Sequence, residues 1–346
     1  MPKLIVELKQ NTPMIHFQAE ESGATLRATA VKPALDKFLI SRLGLEKTKP
    51  WMHDTIDRAL DYRMTFQTNP NEKDKCKEND ELKKGKPYFG TSKGVLNKEP
   101  ITMTIISEQE GVINAIKESI KDFFILNNFG VRGTKGYGSF QVYSIDGEKP
   151  VSYSDYDVLK AVNSMPEKYE ASVYKLNCRL NYNDWKRALE EINKTYSQMK
   201  SGKATSSLLS YGKKQGLSGE KQWIKQNFTG EKARFLRAML GLTGAYKFRY
   251  SRTISVKDST ESSIERFASP IIFKPLKHGG NLCIYILLRK IPSGMFGHKF
   301  TFSDKNNGYK HYLSTPKEEE FSLIDFMKYY VEEEKEGLIE RLNVVR

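Results

Sequence analysis

The arrangement that most constrains this chain is a helix-period segment running into a glycine-rich turn and then a strand. Residues 110–126, "EGVINAIKESIKDFFIL", place Val112, Ile113, Ile116, Ile120, Phe123 and Phe124 at helical spacing. The next stretch contains Gly130, Gly133, Gly136 and Gly138 together with Arg132 and Lys135. "SFQVY", residues 139–143, then resumes as a strand. A chain that leaves a helix through four glycines either makes a tight turn or brings its backbone close to something else. Glycine reaches positive φ freely and has no side chain to hold a neighbour away.

The elements before this segment fit one architecture. "KLIVEL" at residues 3–8 reads as a strand, residues 32–42 as a helix with Pro33 in its first turn, and "ITMTII" at 101–106 as a further strand. With one more strand in residues 48–70 or 86–98, the order is β-α-β-β-α-β, the ferredoxin-like arrangement of an antiparallel sheet with two helices on one face. Residues 71–86 carry six bases, five acids and one leucine, so they read as a solvated insertion.

Residues 146–155 read as a linker, dividing the chain into an N-terminal domain, 1–147, and a C-terminal domain, 148–346. The second half again alternates strand-like and helix-like segments. The expected fold class is α+β, two ferredoxin-like (RRM-like) domains with large insertions. The stretch 200–222, rich in Lys, Gly and Ser, reads as a mobile basic insertion.

Charge is segregated. The net charge is +14, and residues 197–257 hold thirteen Lys or Arg against Glu220 and Glu231, a net of +11. From residue 317 onward nine acids face five bases. A polyanion site is the simplest reason for such a distribution. Lys213, Lys214, Arg234, Arg237 and Arg249 are the candidate contacts there. The aromatics of the same segment read as core, with a solvated charged face as the alternative for its cations.

In the glycine turn, Gly130, Gly133, Gly136 and Gly138 offer backbone amides, Arg132 and Lys135 offer charge, and Phe129, Tyr137 and Phe140 offer rings. Backbone donors, cations and aromatics together suit single-stranded RNA. A glycine-rich turn with surface lysines is the competing reading. The phosphate-loop and dinucleotide motifs both fail, because Lys135 stands where the former needs its second glycine and the glycines follow a helix rather than open one. At residues 24–39, Arg27 and Lys32 flank an expected helix start, where amides favour phosphate.

Leu26-Arg27-x-x-x-x-Lys32 entering a helix, with Gly130-Val-Arg132-x-x-x-Gly136-Tyr-Gly138 before a strand, resembles the RAMP superfamily. Its members are ferredoxin-like RNA-binding subunits of CRISPR effector and processing complexes. Thr12-Pro13 and "RFASPIIFKP" at 266–275 fit as well. Length and layout are most similar to subunit one of the type III-B Cmr module. Where the superfamily often has Lys-Gly at the helix start, this chain has Lys32-Pro33. The resemblance implies a ribonucleoprotein subunit that grips guide RNA, in its 3′ part, and target RNA beside other Cmr-type subunits, while three widely spaced, reduced cysteines suit the cytoplasm.

Cleaving members use an acidic residue after the first strand. Here that loop holds Glu20 and Glu21 but no Asp, so the chain reads as non-catalytic. The alternative is a RAMP-type, metal-independent endoribonuclease using His16, the one histidine near the motifs among His16, His53, His278, His298 and His311. A third reading is a general RNA-binding module outside CRISPR. No cofactor or metal pattern is present, Cys76, Cys178 and Cys283 read as reduced thiols, and no stretch suits a membrane span.

Overall fold

The computed structural model describes residues 1–16, 21, 23–53, 59–69, 73–76, 93–148, 150–200, 204–228, 233–242, 244–247, 253–259, 267–304, 308, 310–334 and 337–342. The chain divides into two compact units. The first holds residues 1–193, 272–287 and 341–346, so it runs beyond the linker expected at 147. The second holds 194–271 and 288–340.

The first unit opens with β1 (Lys3–Gln10), α1 (Ala28–Leu43), β2 (Arg63–Gln67), β3 (Ile101–Ile106), α2 (Glu110–Leu126) and β4 (Phe140–Ile145). The sheet order is β2-β3-β1-β4 with antiparallel pairing throughout. This is the ferredoxin-like order expected from the sequence. Along β1, Leu4, Val6 and Leu8 are buried while the residues between them are partly open, the period-2 pattern of a half-covered strand. Helix α2 buries the apolar face read from its spacing, and Phe123 meets Phe38 of α1 with ring centroids 5.6 Å apart.

Helix α1 begins four residues earlier than its periodicity predicts. Arg27 is the extended N-cap, and its carbonyl accepts from the amides of Ala30 and Val31 at 3.0 Å. Pro33 therefore lies in the second turn. Residues 71–86 read as a solvated insertion, and within them Lys73–Cys76 pairs with Gly94–Asn97, which also pairs with Met14–Ile15 in a small three-stranded sheet. The remaining residues of the insertion lie outside the described residues.

The rest of the chain carries α3 (Asp155–Asn163), β5 (Tyr169–Leu176), α4 (Trp185–Lys200), α5 (Leu208–Lys214), α6 (Glu220–Lys225), β6 (Ala245–Lys247), β7 (Thr253–Asp258), β8 (Ile271–His278), β9 (Asn281–Arg289), β10 (Lys299–Asp304), β11 (Lys310–Ser314), α7 (Leu323–Glu333) and β12 (Ile339–Arg341). The order β5-α4-β8-β9-α7-β12 is a second β-α-β-β-α-β series, and its sheet order is β8-β9-β5-β12. With strands counted within each series, this repeats the arrangement of the first sheet. The insertions after α4 and β9 supply a further antiparallel sheet, β6-β7-β10-β11. The basic stretch expected to be mobile contributes α5 and α6.

The first unit has a continuous core from Leu4 to Leu287, including Ile272, Leu276 and Tyr285 from the later strands. The second has its own, around Trp223, Phe235, Ile254, Phe300 and Phe302. Tyr211, Trp223 and Phe235 are buried, as core aromatics of the basic segment should be. Among the described residues no helix is long and apolar enough to cross a membrane.

Candidate nucleic-acid interface

The glycine turn is gripped from two sides. From the loop after β1, the Thr12 hydroxyl donates to the Gly136 carbonyl at 2.5 Å and accepts from the Ser139 amide at 3.0 Å. The Pro13 carbonyl accepts from Gly138 N–H at 2.8 Å, and the Ile15 carbonyl accepts from Val131 N–H at 3.2 Å. From β8, the Phe273 amide donates to the Thr134 carbonyl at 3.1 Å. Beneath the turn lies Lys274, fully buried, whose ammonium donates to the Asn127 carbonyl, Asn128 Oδ1 and the Phe140 carbonyl at 2.9, 3.0 and 3.1 Å. Burial holds its pKa well below the usual lysine value.

Three of the glycines serve this packing. Gly130, Gly136 and Gly138 have φ of 82°, 79° and 63°. A Cβ at Gly130 would come 2.7 Å from the Ile15 carbonyl oxygen, at Gly136 2.6 Å from Ile192 Cδ1, and at Gly138 1.8 Å from the Phe129 carbonyl oxygen. The close approach that glycine permits is to the protein's own backbone and side chains. Gly133 lacks a positive φ and contacts Asn128, whose Nδ2 donates to the Gly133 carbonyl at 2.7 Å. The rings read as stacking faces are core residues instead: Phe129 packs with Phe124 and Phe140, and Tyr137 is 4% exposed. The outer side of the turn carries exposed Val131 and half-buried Arg132, whose guanidinium lies 5.6 Å from the Tyr137 ring centroid, whereas the Lys135 Nζ is buried rather than offered to a ligand as expected.

The other expected contacts are unevenly available. Arg27 lies 3.7 Å from Glu21 in an exposed pair. Lys32 sits a full turn inside α1, not at its entrance, and is engaged there. It donates to Asp36 at 2.9 Å and the Leu60 carbonyl at 2.7 Å, and lies 4.2 Å from the Tyr62 ring. In the second unit the acids from beyond residue 317 meet part of the basic segment. Arg234 makes a bidentate pair with Glu320 at 2.7 and 2.8 Å, and Lys214 pairs with Glu333 at 2.7 Å. Arg237 is buried against Glu220 at 3.5 Å and donates to the Lys200 carbonyl at 3.0 Å. Lys213 is exposed, and Arg249 lies outside the described residues.

Sequence reading missed a second cationic site in the first unit. A pocket of about 470 Å³ is lined by Lys9, Asn11, Lys98, Tyr182, Trp185 and Lys277, among others, and among the described residues no carboxylate lines it. Lys9 pairs across β1 with Gln141 of β4, the strand that leaves the glycine turn, and Gln141 Oε1 accepts from the Lys277 amide at 2.7 Å. Lys9 Nζ lies 3.6 Å from the Tyr143 ring centroid, and Lys277 Nζ lies 4.2 Å from that of Tyr182. Among the described residues neither lysine makes an ion pair. Burial, and secondarily the charge of Lys9, lowers the Lys277 ammonium to about 8. These residues are scattered from 9 to 277, so no local motif marks them.

Among the histidines, His298 contacts Asp258 at 2.8 Å and His311 stacks on Phe228 at 3.6 Å. The pKa of His16 is lowered, chiefly by burial and then by Arg27. Among the described residues no three His, Cys, Asp or Glu side chains cluster to hold a metal, and neither Cys178 nor Cys283 is in a disulfide.

Residues 1–203 match the family model of the Cmr1 N-terminal domain, and residues 203–343 match that of the Cmr1 C-terminal domain. No curated protein matches the chain. Among solved structures it is similar to Cmr1 from Pyrococcus furiosus in its apo form, with 11% identity, TM-score 0.51, and coverage of 99% of this chain and 98% of that one. A chain of the Type III-B Cmr-beta structure bound to cognate target RNA is matched at 14% identity and TM-score 0.29, over 42% of this chain and 59% of that one. The doubled ferredoxin-like order, the glycine turn and the two family-model matches define an RNA-binding effector protein of the RAMP superfamily. Within that superfamily, the chain belongs to the Cmr1 family.

Proposed function

We propose that this chain is a non-catalytic, cytoplasmic subunit of a type III-B, Cmr-type CRISPR effector ribonucleoprotein. It holds the 3′ region of the guide RNA, the target RNA, or both, beside other Cmr-type subunits in antiviral defence. The observation that carries this reading is the carboxylate-free pocket with Lys9 and Lys277 beside the strand leaving the glycine turn. A phosphate oxygen is the partner that two neighbouring ammonium groups without acids lack. Arg132 on the outer side of the turn and Arg27 add sequence-independent contacts on the first unit, and exposed Lys213 offers one on the second. The glycines contribute by fixing the turn.

The test is to purify the tagged protein from its host, sequence the bound RNA and identify the co-eluting proteins. Small RNAs of set lengths with a common repeat-derived 5′ end, together with several other subunits, are expected. Heterogeneous RNA or none, without partners, would overturn the effector reading. Cleavage of guide precursors by the isolated protein in EDTA, abolished by His16→Ala, would overturn the non-catalytic part.

A further inference from the structure

The pocket between β1, β8 and the start of α4 has features that backbone contact alone leaves unused. Its floor is fixed. Gln10 Nε2 donates to the carbonyls of Thr12 and Val95 at 2.9 and 2.7 Å, while Gln10 Oε1 accepts from Asn97 N and Nδ2 at 2.9 and 2.8 Å. Asn11, 2% exposed, donates through Nδ2 to Ser139 Oγ and the Pro275 carbonyl at 3.4 and 3.2 Å. Those two oxygens set the amide's orientation and leave Asn11 Oδ1 a buried acceptor with no donor.

The walls carry Tyr182 and Trp185, both half-buried, and the positive end of the 16-residue helix α4 begins at Trp185. A volume of about 470 Å³ falls in the range of roughly 300–1,000 Å³ typical of small-ligand sites.

We propose that this pocket takes one unpaired nucleotide, with its phosphate between Lys9 and Lys277 and its base against Tyr182 and Trp185. The assignment rests on the RNA-binding reading above and names the part of the RNA that enters. Without an anion, the two ammonium groups lie on the faces of Tyr143 and Tyr182. When a phosphate arrives, Lys277 turns to it and leaves the Tyr182 face to the base. Phosphate between the lysines also relieves their mutual repulsion.

Calorimetry on the full chain with adenosine monophosphate, ribose 5-phosphate, inorganic phosphate and a short single-stranded RNA tests this. Adenosine monophosphate should bind roughly tenfold or more tighter than ribose 5-phosphate or phosphate. Tyr182→Leu should weaken it by a similar factor, and Tyr182→Phe, which keeps the ring, should restore it. Circular dichroism of both variants checks folding. Equal binding of phosphate and nucleotide would reduce the pocket to an anion site and overturn the proposal. RNA binding without any nucleotide binding would overturn the proposal and leave the RNA-binding reading standing. Nucleotide binding without RNA binding would do the reverse, and neither would sink both.

Discussion

Replacing Gly138 by alanine isolates what the glycine turn is for. The residue has φ of 63°, and a Cβ there would lie 1.8 Å from the Phe129 carbonyl oxygen, well inside any contact distance. The left-handed conformation alone costs a side chain about 1–2 kcal/mol. The clash cannot be relieved by a rotamer, because the atom struck is backbone. The two segments must separate, which breaks the bond from Phe129 N–H to the Gly138 carbonyl (2.9 Å) and that from Gly138 N–H to the Pro13 carbonyl (2.8 Å). At about 1 kcal/mol for each buried bond, the total is about 3–4 kcal/mol. That is a large share of a typical domain's stability. Gly147 is the control: its φ of 74° is equally positive, but nothing lies within 4 Å of an added Cβ. Urea unfolding of the two variants separates strain from clash, with Gly147→Ala expected to cost about 1–2 kcal/mol. If Gly138→Ala costs no more than Gly147→Ala, the turn is not packed as argued, and its glycines are free to serve a ligand.

Other outcomes follow from the charges. In RNA titrations at rising salt, Lys9→Gln and Lys277→Gln should each flatten the log–log slope by about 0.7, whereas Arg234→Gln, whose bidentate partner is Glu320, should leave it unchanged. Because Lys277 is lowered to about 8, its phosphate contact is fully charged below that pH and is lost as the pH rises through it. RNA affinity should therefore fall between pH 7 and 9, and Lys277→Arg, which stays charged, should remove that dependence. Glu220→Ala strips the fully buried acid that Arg237 and Tyr246 contact at 3.5 and 3.0 Å, and thermal or urea unfolding should show a loss of about 3–5 kcal/mol.

The first ferredoxin-like series could be read in the sequence because its elements bury one face each. The spacing of Leu4, Val6 and Leu8 and of Val112 to Phe124 reports that directly. The start of α1 could not, since Ala28, Thr29 and Ala30 are small and largely open, and the apolar stripe begins at Val31. Charge counting within residues 197–257 overstated the free cations, because Glu320 and Glu333 neutralise Arg234 and Lys214 from far along the chain. The four glycines were visible, but a glycine next to its own backbone and one next to a ligand look alike in a sequence. The pocket residues come together only through the pairing of strands distant in sequence. Nothing local distinguishes Lys9 or Lys277 from a solvated lysine.

The threading of the chain between its two units bears on how it folds during synthesis. The chain leaves the first unit after residue 193, returns for 272–287 and returns again at 341. The carbonyls of Asn127 and Phe140 stay without their lysine until residue 274 has been made, and the Asn11–Pro275 bond closes across 264 positions. Contacts of such long range slow folding and prolong the exposure of partly formed sheets. A ribosome-bound fragment ending near residue 200 should therefore display the glycine turn as an unfinished, chaperone-accessible segment. Its rigidity would arrive late, when the β8 strand docks.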